Sequence, residues 1–291
     1  MSGALAQSVE QRTENPCVAG SIPAGTTIQK PRVVEAFFIP TIFTGSFYFY
    51  GMGKVWILLI FAICICGKVS KGQNFLAQQL KVKRFNVAYQ NRDNAINKML
   101  EANKLQKNNL QILIRAFKVE KSLEIWAKNK TSKQFQLLKT YAICALSGDL
   151  GPKSKQGDGQ IPEGIYKIDR FNPSSAFHLS LGINYPNAAD LKRNNLNPGG
   201  DIFIHGDCVT IGCLPMTNVY MEEIYALAVL AKSAGQKNIN VFILPSKKQL
   251  NTTTIYTEFW KKLLVTNDYF EQNKVMPSYS INALGHYELK K

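Results

Sequence analysis

Hydrophobic and polar residues follow two different spacings along this chain, and each spacing predicts a different kind of element. Beyond Gln111 the apolar residues come in short runs bounded by Gly, Pro, Lys and Asn, which is typical of strands joined by turns. Strands are predicted at residues 112–116, 123–126, 135–144, 165–168, 176–180, 201–205 and 240–244. Helical spacing returns after Pro215 and predicts helices over residues 218–233 and 255–265.

The N-terminal part of the chain does not fit this pattern. Its stretch Ser8–Thr27 resembles the translation of a tRNA gene on the wrong strand. Residues 1–51 are therefore expected to be either a spurious gene extension, with translation starting at Met52, or a disordered leader. The apolar run Val55–Cys66 is shorter than the ~20 residues of a membrane span. Residues 52–72 are accordingly predicted to be a signal peptide, a membrane anchor or a lipid-modified anchor.

Three more segments complete the predicted organisation of the chain. Residues 73–109 are rich in Gln, Asn and Lys and have helically spaced apolar positions, which predicts a polar helical lead-in. Residues 110–250 contain most of the predicted strands and should form the main domain. Residues 251–291 are expected to form a C-terminal helical extension packed on that domain.

Charge and cysteine content limit the class of protein. The net charge of +15 predicts either a general attraction to polyanions or a role in solubility alone, and no nucleic-acid recognition motif accompanies the scattered basic residues. Three of the six cysteines lie upstream of residue 67, and the remaining three are widely spaced. This distribution predicts neither a disulfide scaffold nor a zinc site.

A candidate nucleophile and a candidate base lie in the segment Asp201–Asn218. A short predicted strand ends at His205, a glycine-containing turn follows, and Gly212 directly precedes Cys213. Thiolate is the reactive form of cysteine, and a nearby histidine can take the thiol proton. The backbone N–H groups of Ile211, Gly212 and Cys213 are candidates for an oxyanion hole. On spacing alone, a buried cysteine and a core histidine remain the commoner explanation.

The motifs in and around this segment resemble those of YkuD-type L,D-transpeptidase catalytic domains, in particular the YafK-like branch. His205 and the cluster Thr210–Cys213 match that family's first histidine and its nucleophile cluster. Ile211 stands where most members have a second histidine, which leaves His205 as the base that the resemblance implies. Further matches follow in order within residues 110–288, at Gly148–Lys153, Pro162–Tyr166, His178–Ser180, Tyr185–Asn187 and Met216–Thr217.

This resemblance implies both a fold and an activity. The fold is α+β and β-rich: a mixed β-sandwich over residues 110–250, with a helix following the catalytic cysteine. The implied nucleophile is Cys213, with His205 as proton donor and acceptor, and the substrates are peptidoglycan stem peptides. The acceptor is an amine of a second stem peptide or of a wall-attached protein. Neither a metal nor a cofactor is implied, and the expected location is the periplasm or cell envelope, with membrane contact only through the N-terminal apolar segment.

Other functions remain open at this point. A peptidoglycan hydrolase could use the same Cys213–His205 pair, either to cut stem peptides or to release wall-bound protein. An inactive wall-binding module is an alternative of another class. A basic nucleic-acid-binding protein is disfavoured by the predicted export signal.

Five further residues are predicted to contact the substrate: Gly206, Thr210, His178, Lys153 and Arg193. His178 is otherwise a hydrogen-bonded structural histidine, and the two cations are otherwise part of a solvated basic surface. Cys208 is expected either to be a small buried side chain or to form a regulatory disulfide with Cys213. A backbone carbonyl is expected to orient His205, with Asp207 as the alternative.

Overall fold

The computed structural model describes residues 71–194 and 197–290. The predictions for residues 1–51, and for the apolar segment after them up to residue 70, lie outside this part of the chain. Within the described ranges, no helix combines the length and the apolar character that crossing a membrane requires.

The described residues form a strand-rich α+β structure, which confirms the predicted fold class. Its helices are α1 (Lys71–Leu80), α2 (Lys83–Ala102), α3 (Ala188–Arg193), α4 (Asn218–Ser233) and α5 (Thr257–Asn273), with a 3-10 turn at Lys107–Asn109. Its strands are β1 (Leu110–Phe117), β2 (Ser122–Asn129), β3 (Gln136–Ala142), β4 (Gly164–Asn172), β5 (Ser180–Ile183), β6 (Phe203–His205), β7 (Leu214–Pro215), β8 (Asn240–Leu244), β9 (Tyr279–Ile281) and β10 (Tyr287–Leu289).

Eight of these strands follow one continuous order, β3-β2-β1-β8-β4-β5-β6-β7, while β9 and β10 pair as a separate hairpin. Most neighbours are antiparallel, but β1 is parallel to β8 and β6 is parallel to β7. Helix α4 lies between β7 and β8 in the chain, so it belongs to the connection that leads into β8. This helix, which follows the candidate nucleophile, packs against β1, β5 and β6.

Side chains of β1 alternate between two hydrophobic clusters, one on each face of the sheet. Ile112 and Ile114 belong to a cluster that contains the apolar residues of α2 and α4. Leu113 and Phe117 belong to a second cluster, which contains the apolar residues of α5. Because both faces of β1 are covered, its sequence is an almost uninterrupted hydrophobic run instead of an alternating one.

Several element boundaries differ from the sequence predictions. The strand predicted at residues 176–180 begins at Ser180, because His178 adopts a left-handed conformation with φ 63° that an extended strand does not allow. Helix α5 continues to Asn273, eight residues beyond the predicted end, and buries Phe270. The short elements β7, α3, β9 and β10 were not predicted, since runs of two to six residues carry too little periodicity.

Candidate active site

Strands β6 and β7 bring the backbone segments that carry the predicted base and the predicted nucleophile next to each other. They are parallel, with His205 opposite Pro215. Cys213 lies two positions before Pro215, directly ahead of the first residue of β7. His205 and Cys213 therefore lie on two adjoining segments of backbone, although eight positions separate them in the chain.

The imidazole of His205 is buried and oriented by the backbone. Only 3% of the residue is exposed, and Nδ1 lies 2.5 Å from the carbonyl oxygen of Gly206. Since a carbonyl oxygen can only accept, Nδ1 of the neutral ring carries the hydrogen and Nε2 keeps its lone pair. The ring of Phe177 packs against the imidazole with centroids 4.9 Å apart. The orienting group is thus a backbone carbonyl, as the sequence analysis expected.

Burial controls the protonation of this histidine. Desolvation lowers the pKa of His205 below its usual 6.5, and the hydrogen bond to the Gly206 carbonyl and the negative charge of Asp207 oppose that shift. A lowered pKa keeps the imidazole neutral near pH 7, which is the form that can accept a proton from a thiol.

A tight turn at Gly206 and Asp207 follows the base. The Gly206 N–H donates to carbonyls within the segment 177–179, at 3.1 Å each. A Cβ atom at Gly206 would lie 2.5 Å from Oδ1 of Asn218 and 2.8 Å from Cβ of His178, so no larger residue fits. Asp207 has φ 60°, and its N–H donates to the same Asn218 oxygen at 2.8 Å. Gly206 therefore has a packing reason to be glycine, and its contact with substrate stays a prediction.

The Thr210 side chain forms the turn that leads into the nucleophile. Its hydroxyl oxygen accepts hydrogen bonds from the N–H groups of Gly212 at 3.1 Å and Cys213 at 2.8 Å, and the hydroxyl donates to the Cys213 carbonyl at 2.8 Å. Two of the three predicted oxyanion-hole donors therefore already have an acceptor, because a threonine side chain can bond to the backbone just after it. An oxyanion bound there would have to replace this hydroxyl. The oxyanion hole, including Ile211, stays a prediction.

The glycine-rich segment 148–164 lies against this turn. Gly212 has φ 136°, and a Cβ atom there would lie 3.2 Å from the Gln160 carbonyl oxygen. Buried Lys118 holds the segment in place: its ammonium donates to the carbonyls of Asp149, Gly151 and Ile161 at 2.7–3.2 Å. It also pairs with Glu163 at 3.0 Å, and both side chains are almost fully buried. The segment is thus fixed by hydrogen bonds before any substrate arrives.

Two cations predicted to bind substrate have partners inside the protein. The ammonium of Lys153 is buried, donates to the Lys155 carbonyl at 2.9 Å and pairs with Asp158. The guanidinium of Arg193 pairs with Asp190 at 2.5 Å and donates to the Gly285 carbonyl at 2.9 Å. The contacts of Lys153 fix the loop 153–158, and the contact of Arg193 with Gly285 fixes the C-terminal segment. The substrate roles of both cations stay predictions to which the observed contacts add no support.

His178 makes the contacts of the structural alternative. Its Nε2 lies 3.1 Å from Oε1 of Glu222, and Arg92 donates to the other oxygen of that carboxylate at 2.8 Å. Arg84 of α2 donates to the carbonyl of His178 at 2.8 Å and also to that of Ser175. These two carbonyls flank the phenylalanine that packs on His205.

The contribution of α2 to the site was missed by the sequence analysis. Arg84 and Arg92 lie in the predicted polar lead-in, outside the predicted catalytic domain. A helical pattern shows which face of a helix is buried, but it does not show which carbonyl a long arginine side chain reaches. The lead-in therefore supports the loop beside His205 as well as packing on α4.

Cys208 departs from both sequence expectations. It forms a disulfide with Cys144, whose Cα atom is 5.5 Å away. Cys208 is exposed, whereas Cys213 is buried. The expected small buried side chain and the expected Cys208–Cys213 bond are therefore both wrong for this structure. One signal was present in the sequence: once Cys213 is set aside as the nucleophile, an even number of downstream cysteines remains.

Fold and site together define a strand-rich α+β domain in which a buried histidine ends one strand and a buried cysteine directly precedes the parallel neighbour of that strand. A family model described as the L,D-transpeptidase catalytic domain, YkuD, matches residues 113–242. Two Escherichia coli proteins, from strains K12 and O157:H7, are each named "Putative L,D-transpeptidase YafK". Each is 37% identical to this chain over 187 residues, which is 62% of this chain and 74% of the relative. This chain belongs to the L,D-transpeptidase catalytic domain family.

Two solved structures show a weaker similarity to this chain. The helical cell shape determining protein Pgp2 from Campylobacter jejuni has 15% identity and a TM-score of 0.39, over 60% of this chain and 74% of that one. Bd1075 from Bdellovibrio bacteriovorus has 23% identity and a TM-score of 0.34, over 55% of each chain.

Proposed function

We propose that this chain is a peptidoglycan L,D-transpeptidase that forms an acyl-enzyme through Cys213. The observation that carries the proposal is the arrangement of His205, whose Nδ1 is committed to the Gly206 carbonyl. Its Nε2 is then the proton acceptor, and the strand that begins directly after Cys213 is the parallel neighbour of the strand that ends at His205. Membership of the L,D-transpeptidase family supports stem peptides as the substrate class.

The acylation step moves one proton and exchanges one bond. His205 takes the thiol proton while the Cys213 sulfur attacks the carbonyl carbon of the diamino-acid residue in the stem peptide. The bond between that carbon and the nitrogen of the next D-amino acid breaks, and His205 gives the proton to the leaving amine. A thioester and a free D-amino acid result.

The second step decides between transpeptidase and hydrolase. An amine from a second stem peptide, or from a wall-attached protein, attacks the thioester and forms a new amide bond while the thiol is restored. Water in place of the amine would give a shortened stem peptide. His205 serves both outcomes as the base that deprotonates the attacking group.

Intact-protein mass spectrometry with a purified tetrapeptide stem tests the proposal. A transpeptidase should show a mass increase that maps to Cys213, followed by a cross-linked dimer in solution. Trimmed monomer without dimer would identify the hydrolase instead. An unmodified protein and unchanged substrate would exclude acyl transfer and favour the wall-binding module.

Two substitutions test the assigned roles. Cys213→Ala should abolish the adduct and leave the fold intact, because the change removes little packing volume. His205→Gln should lower the acylation rate by at least ~100-fold, the usual contribution of a general base. It should also move the pH profile of iodoacetamide labelling at Cys213 upward. His178→Gln is the control, and a larger shift in that variant than in His205→Gln would make His178 the base.

We also propose that the protein is exported to the cell envelope. The Cys144–Cys208 disulfide supports this location, because disulfides persist in oxidising compartments. A chain that starts at Met52 should then complement a deletion strain as well as the full chain does. Peptides from Val18–Lys30 in a digest of native protein would show instead that the upstream segment is translated.

A further inference from the structure

The Cys144–Cys208 disulfide links the loop between His205 and Cys213, which we call the catalytic loop, to the segment that follows β3. Cys144 lies two residues beyond β3, and its N–H donates to the carbonyl of Pro215 in β7 at 3.2 Å. Cys208 lies in the loop between the proposed base and the proposed nucleophile, 64 positions further along the chain. The bond therefore joins the middle of that loop to the strand edge beside the nucleophile.

The other side chains of this loop give it little attachment to the core. Val209 and Ile211 are 55% and 44% exposed. Among the described residues, the hydroxyl of Thr210 bonds to the backbone of its own turn, at Gly212 and Cys213. Without the bond to Cys144, the segment that carries Cys208 could move while burying and exposing almost no apolar surface.

A mobile thiol at position 208 could form a disulfide with Cys213 and so remove the proposed nucleophile. Cys213 must keep its thiol to act as a nucleophile. Cys208 is only five positions away, so closing a disulfide ring between the two costs little chain entropy. In an oxidising compartment the two thiols would meet oxidants that carry a reactive disulfide, a class that oxidised glutathione represents in a test.

We propose that Cys144 is a positioning residue that keeps Cys213 reduced by holding Cys208 in a disulfide. The proposal rests on the proposed role of Cys213 as the nucleophile. If Cys144 is absent, the Cys208 thiolate attacks oxidised glutathione and releases one reduced glutathione. The Cys213 thiolate then displaces the second glutathione, which leaves a Cys208–Cys213 disulfide and no nucleophile. Two electrons pass from the protein to one molecule of oxidised glutathione.

Two matched variants of the full chain test this proposal. Cys144→Ser and Cys208→Ser both remove the native disulfide, so any loss of stability should be common to them. Only Cys144→Ser leaves a thiol in the catalytic loop. After treatment with oxidised glutathione, we expect non-reducing peptide mapping to find a Cys208–Cys213 bond in Cys144→Ser. Acylation by that variant should be lost and should return with dithiothreitol, whereas Cys208→Ser and the wild type should keep their activity.

The mapping and activity results separate this proposal from the proposed function. Equal inactivation of both variants, or no Cys208–Cys213 bond in Cys144→Ser, would overturn the protective role of Cys144. Non-reducing peptide mapping detects the Cys208–Cys213 bond even in a variant that has little activity. Failure of the proposed function would appear differently, as a wild-type protein that never forms an acyl adduct while its Cys144→Ser form still shows the new disulfide.

Discussion

At the scale of single residues, burial determines which protonation state of His205 is favoured. Desolvation favours the neutral ring in the folded protein, so the folded-state pKa lies below the unfolded value of 6.5. The unfolded chain then binds the proton more readily. This residue's contribution to stability is therefore fully present above pH 6.5 and is lost as the pH falls through the folded-state pKa.

The same lowered pKa predicts the acid limb of catalysis. As the pH falls, kcat/KM should drop with a midpoint below pH 6.5, because kcat/KM reports the ionisation of the base in the free enzyme. The measurement is the pH dependence of stem-peptide turnover. His286→Gln is the control and should leave the limb in place, because His286 lies in the C-terminal hairpin. A limb above pH 6.5 would mean that a different group, or a charged environment at His205, controls the reaction.

Thr210 offers a second prediction at this scale. Thr210→Val keeps the side-chain shape but removes the hydroxyl that bonds to the backbone of Gly212 and Cys213. Two buried N–H groups would lose their acceptor, so the free energy of unfolding should fall by about 1–3 kcal/mol. Urea denaturation measures this loss. Thr210→Ser retains the hydroxyl and should stay close to wild type, and equal stability of the valine variant would show that the turn does not depend on the hydroxyl.

At the scale of elements, one buried ion pair connects β1, the segment 148–164 and helix α5. Lys118 follows β1 directly, and Glu163 directly precedes β4. The Glu163 carboxylate also accepts from the N–H of Gly151 at 2.9 Å and from Nε1 of Trp260 in α5 at 2.6 Å. The segment that borders the nucleophile turn is therefore fixed from the sheet on one side and from α5 on the other.

Glu163→Gln should destabilise the protein strongly. It leaves the ammonium of Lys118 in the interior without a counter-charge, and breaking a buried pair in this way costs about 3–5 kcal/mol. Chemical denaturation gives the free energy of unfolding for comparison. The matched control is Glu258→Gln, which breaks the exposed pair with Lys261 and should change stability by less than about 0.5 kcal/mol. Similar losses in the two variants would contradict a special role for the buried pair.

At the scale of the whole molecule, the predicted lead-in shares the core of the main domain. Phe85 of α2 is fully buried, and its ring packs on that of Tyr225 in α4 with centroids 5.1 Å apart. Ile96 and Leu100 extend the same cluster. The lead-in helices and the strands should therefore unfold together.

Phe85→Ala should lower the free energy of unfolding by about 3–5 kcal/mol, because the cavity left by a phenylalanine in a core does not close fully. Val87→Ala on the same helix is the control. Val87 is 47% exposed, so its loss should be within about 0.5 kcal/mol. Unfolding monitored by circular dichroism should show one transition for both variants. A separate early transition in Phe85→Ala would mean that α2 unfolds independently of the sheet.

The sequence by itself determined the features that depend on neighbouring residues. The apolar spacing after Pro215 placed α4 at residues 218–233, and the compact run at 240–244 placed β8. Both predictions matched the structure because a helix that buries one face and a strand that is buried entirely each leave a recognisable pattern of apolar residues in one short stretch of sequence. The ordered motifs and the pair His205 and Cys213 likewise identified the family that the comparisons show.

Only the tertiary structure decided which distant groups meet. Cys144 and Cys208 are 64 positions apart, and no local pattern indicates that the residues after β3 and the loop between His205 and Cys213 meet in the folded chain. Lys153 and Arg193 looked available for substrate, yet each has a carboxylate partner that is visible only after folding. Periodicity records how each segment buries its own apolar residues. Partner choice depends on how the segments pack against one another, and that information is spread over the whole chain.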